Sequence, residues 1–294
     1  MISEQIARIR SARGFIAALD QSGGSTAKAL KLYGIEEENY SSEAEMFDLI
    51  HAMRTRIVTS PVFNSNRILA VILFEATMLR KIDGMGSAEY LWKVKGIPSF
   101  LKVDSGLAVE ANGVQLMKEI PELDQRLQAA IDHGVIGTKM RSVIKLADSA
   151  GISEILDQQF SIAERIIATG LIPIIEPEVD IKSPQKREAE AFLLSGLTER
   201  LAKLPAGSKV VLKLTLPEEV NLYKKLLDQP SVIRIAALSG GYTREEANQR
   251  LSENDGLIAS FSRALTQGLN IDQSESEFER TLENSIESIF QASH

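Results

Sequence analysis

Eight short apolar runs, mostly β-branched, alternate along the chain with segments whose apolar positions recur at helical spacing. The runs cover residues 15–19, 68–74, 98–102, 134–139, 170–175, 209–215, 232–238 and 256–260. Each is short and apolar on both faces, the pattern of a strand covered on two sides. Between them the spacing predicts helices over 42–60 (Met46, Phe47, Ile50, Met53 and Ile57 on one stripe), 121–133, 152–169, 185–203 and 218–227. Further helices follow the Gly-rich turn QSGGSTAK, start at Thr243 with a capping box to Glu246, start at FSRAL, and fill 275–289. Strand–helix alternation means parallel βαβ units. Eight of them in roughly 250 residues is the size of a closed (β/α)₈ barrel, the TIM-barrel form of the α/β class. No Pro/Ser-rich linker or low-complexity stretch divides the chain, which predicts one domain over 1–294, with a helical lead-in at 2–12 and a terminal helix and tail at 274–294. An open doubly wound sheet is the alternative, but no G-x-G-x-x-G follows the first strand.

The run KVVLKLT breaks its own pattern by placing Lys213 among Val210, Val211, Leu212 and Leu214. Faces alternate along a strand, so Lys209, Val211, Lys213 and Thr215 share one side. Burial disfavours an ammonium relative to the neutral amine. A neutral lysine amine is a nucleophile that forms Schiff bases with carbonyls. The plain alternative is a buried stem whose head reaches water.

Neighbouring strands decide between the two. Four in succession finish in charged or polar residues two apart: Lys102/Asp104, Lys139/Arg141, Glu176/Glu178 and Lys213/Thr215. Their leading members are each 37 residues from the next. Two apart is one face, and at the C-terminal end of barrel strands that face points into the mouth where active sites of this fold lie. Asp20 ends the first strand. Structural ion pairs account for one or two such ends, not for this many in a row. The last two strands end in Ser239-Gly240-Gly241 and Ser260-Phe261-Ser262-Arg263, each before a predicted helix start. Loops after strands seven and eight commonly hold phosphate in this fold, and Arg263 adds a bidentate donor.

Composition narrows the chemistry. The formal net charge is −7, which argues against nucleic acid as partner. There are no cysteines, which removes disulfides and thiolate chemistry and fits a reducing, cytoplasmic setting. The three histidines, His51, His133 and His294, are scattered, which disfavours a His-based metal centre. No apolar run approaches the ~20 residues of a membrane span, and the charged N-terminus has no apolar signal core.

Read together, ALDQSGGSTAK, VILFEAT, KVDSGL, KMR, PIIEPE, VVLKLTLP, LSGG and SFSRAL resemble the class I, Schiff-base-forming fructose-1,6-bisphosphate aldolases in a short bacterial-like form. The resemblance runs from about Gly14 to Leu265. It implies a lyase that reversibly cleaves D-fructose 1,6-bisphosphate to dihydroxyacetone phosphate and D-glyceraldehyde 3-phosphate in glycolysis and gluconeogenesis. It implies no metal and no other cofactor. By this likeness Lys213 attacks the C2 ketone. Glu176 is the acid/base for the carbinolamine and the C4 hydroxyl, and Glu178 lies beside Lys213 and orients it. Lys139 supplies positive charge near the reacting carbons, and Asp20 positions the C4 hydroxyl. Ser239, Gly240, Gly241, Ser262 and Arg263 match the C1-phosphate site, and Lys102, Ser22 and Ser25 the C6-phosphate region. Arg141 joins Lys102, Lys139 and Arg263 in a local basic field for a bisphosphate inside an acidic protein.

The chain departs from the related pattern at Ser262 (usually Gly), Gln21 (usually an acid) and Ala29 (usually Arg), and it has no tyrosine after Tyr242, where longer members carry one at the end of the chain. Ser25-Thr26-Ala27-Lys28 matches S-x-x-K, but no S-D-N or K-T-G accompanies it. A pyridoxal phosphate lysine would make the protein yellow. Tagatose 1,6-bisphosphate on the same chemistry, and a non-catalytic sugar-phosphate-binding role, remain as alternatives. The homo-oligomeric state stays open.

Overall fold

The computed structural model describes residues 2–293, so His294 and the end of the predicted tail lie outside the described residues. Eight parallel strands follow one another around a barrel: β1 (Phe15–Leu19), β2 (Ile68–Leu73), β3 (Ser99–Lys102), β4 (Gly137–Ile144), β5 (Ile172–Val179), β6 (Val210–Thr215), β7 (Val232–Leu238) and β8 (Leu257–Ala259). The order of neighbours is the order of sequence, as in the expected (β/α)₈ fold. The Ala18 N–H donates to the Phe261 carbonyl at 3.3 Å across the seam between β1 and the end of β8.

The helices that cover the strands are α1 (Ile2–Ser11), α2 (Gly24–Leu32), α3 (Glu43–Thr59), α4 (Ser87–Lys93), α5 (Leu123–Asp132), α6 (Ser149–Ala168), α7 (Lys186–Lys203), α8 (Arg244–Ser252), α9 (Arg263–Thr266) and α10 (Glu275–Ala292). Apart from that of α1, their apolar stripes pack on the outward residues of the strands in one continuous core. A second apolar cluster fills the barrel interior, with Ile16, Ile72, Phe100, Ile172, Ile174, Val211 and Ile258 among its members. Val211 is in this inner cluster and Val210, Leu212 and Leu214 in the outer one, so Lys213 shares the inward face. The lead-in helix α1 plugs the lower end: Ile9 is fully buried in the inner cluster. Arg234 on β7 fixes it there by donating to the Ile9 carbonyl at 2.8 Å and the Ala12 carbonyl at 2.7 Å. With its floor apolar and plugged, the barrel opens at the C-terminal ends of its strands.

Gly137 sets the depth of that floor. It begins β4 opposite Ile172, and a Cβ there would lie 2.2 Å from the Ile172 carbonyl and 2.6 Å from the Phe100 ring. Glycine lets the ring fill the barrel directly beneath Lys139, two residues further along.

Three expectations change. β4 and β5 run past KMR and EPE, so Lys139, Arg141, Glu176 and Glu178 lie within long strands rather than at their ends. The two strands pair over their whole length, and Val114–Gln115 adds an antiparallel partner to the far end of β4. No α-helix forms over 218–227; only a 3₁₀ turn, Lys224–Asp228, is present. The cause is local. Asn221 adopts φ 63°, its N–H donates to Asn254 Oδ1 at 2.8 Å, and its Oδ1 accepts the Asp255 N–H at 2.8 Å. Those bonds tie the segment to the loop after α8. The helix expected from FSRAL is a single turn, α9.

Candidate active site

At the open end lies a cavity of about 550 Å³. Its wall carries the basic side chains Lys28, Lys102, Lys139, Arg141, Lys213 and Arg263 and the acidic Asp20, Asp104, Glu176 and Glu178. At its base four of these form a chain of alternating charge. Lys213 Nζ lies 3.1 Å from Glu176 Oε1, Glu176 Oε2 lies 2.6 Å from Lys139 Nζ, and Lys139 Nζ lies 3.1 Å from Asp20 Oδ2. All four are buried, at 5%, 3%, 3% and 8% exposure respectively for Lys213, Glu176, Lys139 and Asp20. Opposite Lys213 in the β6–β7 register stands Ala236, whose small side chain leaves space beside the amine.

Burial alone would raise the Asp20 carboxyl, but Lys139, Lys213 and Lys102 outweigh it and hold it well below the usual carboxylate range. Burial alone would lower the Lys139 ammonium; Asp20, Glu176 and Asp104 reverse that and keep it charged beyond the ordinary lysine range. The group at the centre of the cavity floor is therefore a fixed cation flanked by carboxylates.

The nearest charge to Lys213 is a carboxylate, that of Glu176. Most of the expected basic field is paired off inside the protein. Lys102 binds Asp104 at 2.6 Å, and Arg141 binds Glu178. Glu178 therefore takes Arg141 as its ion-pair partner, and among the described residues no ion pair joins it to Lys213. The reason is register: Arg141 on β4 and Glu176 on β5 are opposite each other, so Glu178 comes one step higher and within reach of the guanidinium. Among the described residues lining the cavity, only Lys28 and Arg263 are cations without an ion pair.

The two expected phosphate loops come together at the rim. Gly240 and Gly241 have φ 60° and 128°, and a Cβ on Gly240 would meet Ile181 at 2.5 Å, so this turn requires glycine. Arg263 Nη2 lies 3.5 Å from the position a Gly241 Cβ would take. A helix N-terminus contributes less than expected. The first turn of α8 is capped by its own Thr243, which accepts the Glu246 N–H, and α9 has one turn only. The groups free to donate at this rim are the turn backbone and the Arg263 guanidinium. Ser22 and Ser25 also line the cavity, but the Ser25 hydroxyl donates to the Ser22 carbonyl at 2.7 Å and accepts the Ser22 N–H at 2.9 Å. Ser25 thus shapes its turn.

The chain matches the family described as "Glycolytic: Fructose-bisphosphate aldolase class-I" over residues 2–190. It is 57% identical to "Fructose-bisphosphate aldolase class 1" of Synechocystis over 99% of this chain and 97% of that one. It is 55% identical to the protein of the same name from Clostridium acetobutylicum, over 100% and 99%. The chain belongs to the class I fructose-bisphosphate aldolase family. Among solved structures, fructose-bisphosphate aldolase from Plasmodium falciparum, in a complex with TRAP and an inhibitor, superposes with a TM-score of 0.79 over 99% of this chain and 93% of that one. At 21% identity that likeness concerns the fold.

Within this family site, sequence reasoning missed Arg54. It is fully buried on α3 and donates to Gln21 behind Asp20. An arginine in an amphipathic helix reads as a solvated residue, but its place on the Met46–Ile50–Met53–Ile57 stripe was a usable signal. Each described histidine ring instead faces a backbone carbonyl away from the cavity: His51 Nε2 the Lys81 oxygen at 3.0 Å, His133 Nδ1 the Ala129 oxygen at 2.8 Å.

Proposed function

We propose that the protein cleaves D-fructose 1,6-bisphosphate by a retro-aldol reaction through a Schiff base on Lys213. The observation that carries this reading is the pairing of a buried lysine with one acid, Glu176, at 3.1 Å, at the base of a cavity edged by phosphate-type donors. Lys213 Nζ attacks the C2 ketone and forms the N–C2 bond of a carbinolamine. Glu176, already at hydrogen-bonding distance, takes the amine proton and returns it to the departing C2 hydroxyl as water. The resulting iminium is the electron sink. Glu176, a carboxylate again once water has left, takes the C4 hydroxyl proton; the O–H pair becomes the aldehyde C=O, C3–C4 breaks, its electron pair forms the enamine, and glyceraldehyde 3-phosphate leaves. Protonation at C3 and hydrolysis then release dihydroxyacetone phosphate and free Lys213.

Lys139 and Asp20 are held charged in the free protein by one another and their neighbours, and in this reading they act as electrostatic elements. Asp20 orients the C4 hydroxyl, and Lys139 stabilises negative charge that develops near it. Arg263, Ser239, Gly240, Gly241 and Ser262 bind the C1 phosphate, and Lys102, Ser22 and Lys28 the other, with Ser25 holding the Ser22 turn. Arg141 and Glu178 form the wall between them. Holding both phosphates fixes the reacting carbons over Lys213. The absence of cysteine fits a cytoplasmic setting in glycolysis or gluconeogenesis; among the described residues no helix is long and apolar enough to cross a membrane.

Tagatose 1,6-bisphosphate differs only at C4 and is the second reading on the same chemistry. Borohydride reduction in the presence of each ketose bisphosphate tests both. The expected result is a covalent adduct on the tryptic peptide containing Lys213, formed more readily with the fructose ester. No adduct on that peptide would overturn the assignment.

A further inference from the structure

The seam between the first and last strands is lightly joined through the backbone. β4 and β5 are registered along eight residue pairs, whereas among the described residues β1 meets the end of β8 through one backbone hydrogen bond, Ala18–Phe261. Just above it, side chains take over. Arg54 Nη2 donates to the Gln21 carbonyl at 2.7 Å and to Gln21 Oε1 at 3.1 Å, and its Nη1 donates to Thr77 Oγ1 at 2.7 Å. Gln21 Nε2 in turn donates to Ser262 Oγ at 2.7 Å. Arg54 has no carboxylate ion pair among the described residues, and it is fully buried. Burial lowers its guanidinium to about 10, with Asp20 pulling the other way, so it remains a cation at neutral pH.

The direction of these bonds is forced by chemistry. A guanidinium has donors only, so the Gln21 atom that faces it must be the carbonyl oxygen. The amide nitrogen then faces Ser262, and Ser262 Oγ must accept. A hydroxyl that accepts there keeps its own proton for another partner. Among the described residues none takes that proton. Ser262 lines the cavity next to Arg263, one of its two cations without an ion pair among the described residues.

We propose that Arg54, Gln21 and Ser262 form a polarity relay, in which Arg54 and Gln21 are positioning residues that present the Ser262 hydroxyl as a hydrogen-bond donor to the substrate phosphate held at Arg263. The inference rests on the phosphate site proposed above and adds to it a side-chain donor whose direction is fixed in the free protein. A phosphate dianion offers acceptors only, so a serine can help bind it only with its proton outward. A carboxylate at position 21 would accept from Arg54 equally well, but would draw the Ser262 proton to itself and turn the donor away.

The test is a double-mutant cycle on Gln21→Glu and Ser262→Ala, two changes that alter few atoms and leave Arg54 with a partner. Fructose 1,6-bisphosphate cleavage gives KM and kcat, and an equilibrium titration with inorganic phosphate reads the same site without turnover. Ser262→Ala should weaken binding by about tenfold, the loss of one hydrogen bond to a charged group, mainly in KM. Ser262→Thr, which keeps the hydroxyl, should recover most of that affinity. Gln21→Glu should weaken binding by a similar factor. Any repulsion from its added charge appears in both backgrounds, so the relay is read from the difference. The effect of Gln21→Glu should shrink several-fold once Ser262→Ala has removed the hydroxyl. Equal effects of Gln21→Glu in the two backgrounds, or phosphate affinity unchanged by Ser262→Ala, would overturn the relay. A protein that binds phosphate in the expected order yet does not cleave the sugar bisphosphate supports the relay and overturns the proposed activity instead.

Discussion

Lys213 Nζ lies 3.1 Å from Glu176 Oε1, and among the described residues no other carboxylate is ion-paired with it. The proton that the amine must lose before it can attack a carbonyl therefore has one receiver. Lys213→Met should reduce cleavage to background and abolish the borohydride adduct, while the apolar strand around it keeps the fold intact by circular dichroism. Glu176→Gln preserves size and should lower kcat by about 10²–10⁴-fold, the usual range for a positioned acid/base. The adduct should then form slowly, not vanish. Undiminished turnover in Lys213→Met would move the nucleophile to Lys139.

Glu178 provides a contrast, since it shares a face with Glu176 but pairs with Arg141. Glu178→Gln should cost about tenfold in kcat/KM, far less than Glu176→Gln, because the charge it removes is paired with Arg141 rather than with the amine. Steady-state kinetics of the two variants side by side decides the matter. Equal losses would restore Glu178 to a direct role on Lys213.

The barrel was legible in the sequence because each βα unit carries its own signal: a β-branched run, then apolar residues at helical spacing. The site was legible because charges within such runs are costly to bury, and Lys102, Lys139, Glu176 and Lys213 repeat that anomaly on one face. Pairing was less visible. It depends on strand stagger, which places Glu176 opposite Arg141 rather than Lys139 and leaves Glu178 for the guanidinium. The partner of Arg54 was hidden for a related reason, since Gln21 lies 33 residues away, and only the arginine's place on the apolar stripe hinted at its burial. The false helix over 218–227 has apolar residues at acceptable spacing; what prevents it is a pair of side-chain bonds to a loop distant in sequence.

Gly137→Ala tests how far the floor of the barrel supports the chemistry above it. The added methyl would stand 2.2 Å from a backbone oxygen of β5, which cannot turn aside, and 2.6 Å from the Phe100 ring, which can turn only by moving into the barrel. Overpacking of this kind costs about 1–3 kcal/mol or more. The strands must separate where Gly137 pairs with Ile172, two residues below Lys139. A lower melting temperature should therefore come with a fall in kcat that truncating Phe100 restores only in part. A variant of full activity and lowered stability would show that the ion chain above tolerates movement of the floor.

Asp20 and Lys139 make opposite demands on pH. The Asp20 carboxyl is depressed in the folded protein despite its burial, because Lys139, Lys213 and Lys102 surround it. Its contribution to stability is thus present above the unfolded value of about 3.9 and is lost as pH falls through the lower folded value. Lys139 is raised against the pull of burial by Asp20, Glu176 and Asp104. Its contribution is complete below about 10.4 and is lost only as pH rises through the folded value. Asp20→Asn removes one of the two carboxylates paired with a buried ammonium, which at neutral pH should cost of order 3 kcal/mol. Urea midpoints of the two proteins should differ most across the neutral range. The gap should close as pH drops below about 4, where the unfolded carboxyl already holds its proton and the native one must gain it. A gap that stays constant from pH 7 to pH 3 would mean that the side chain's shape, not its charge, is what the site uses.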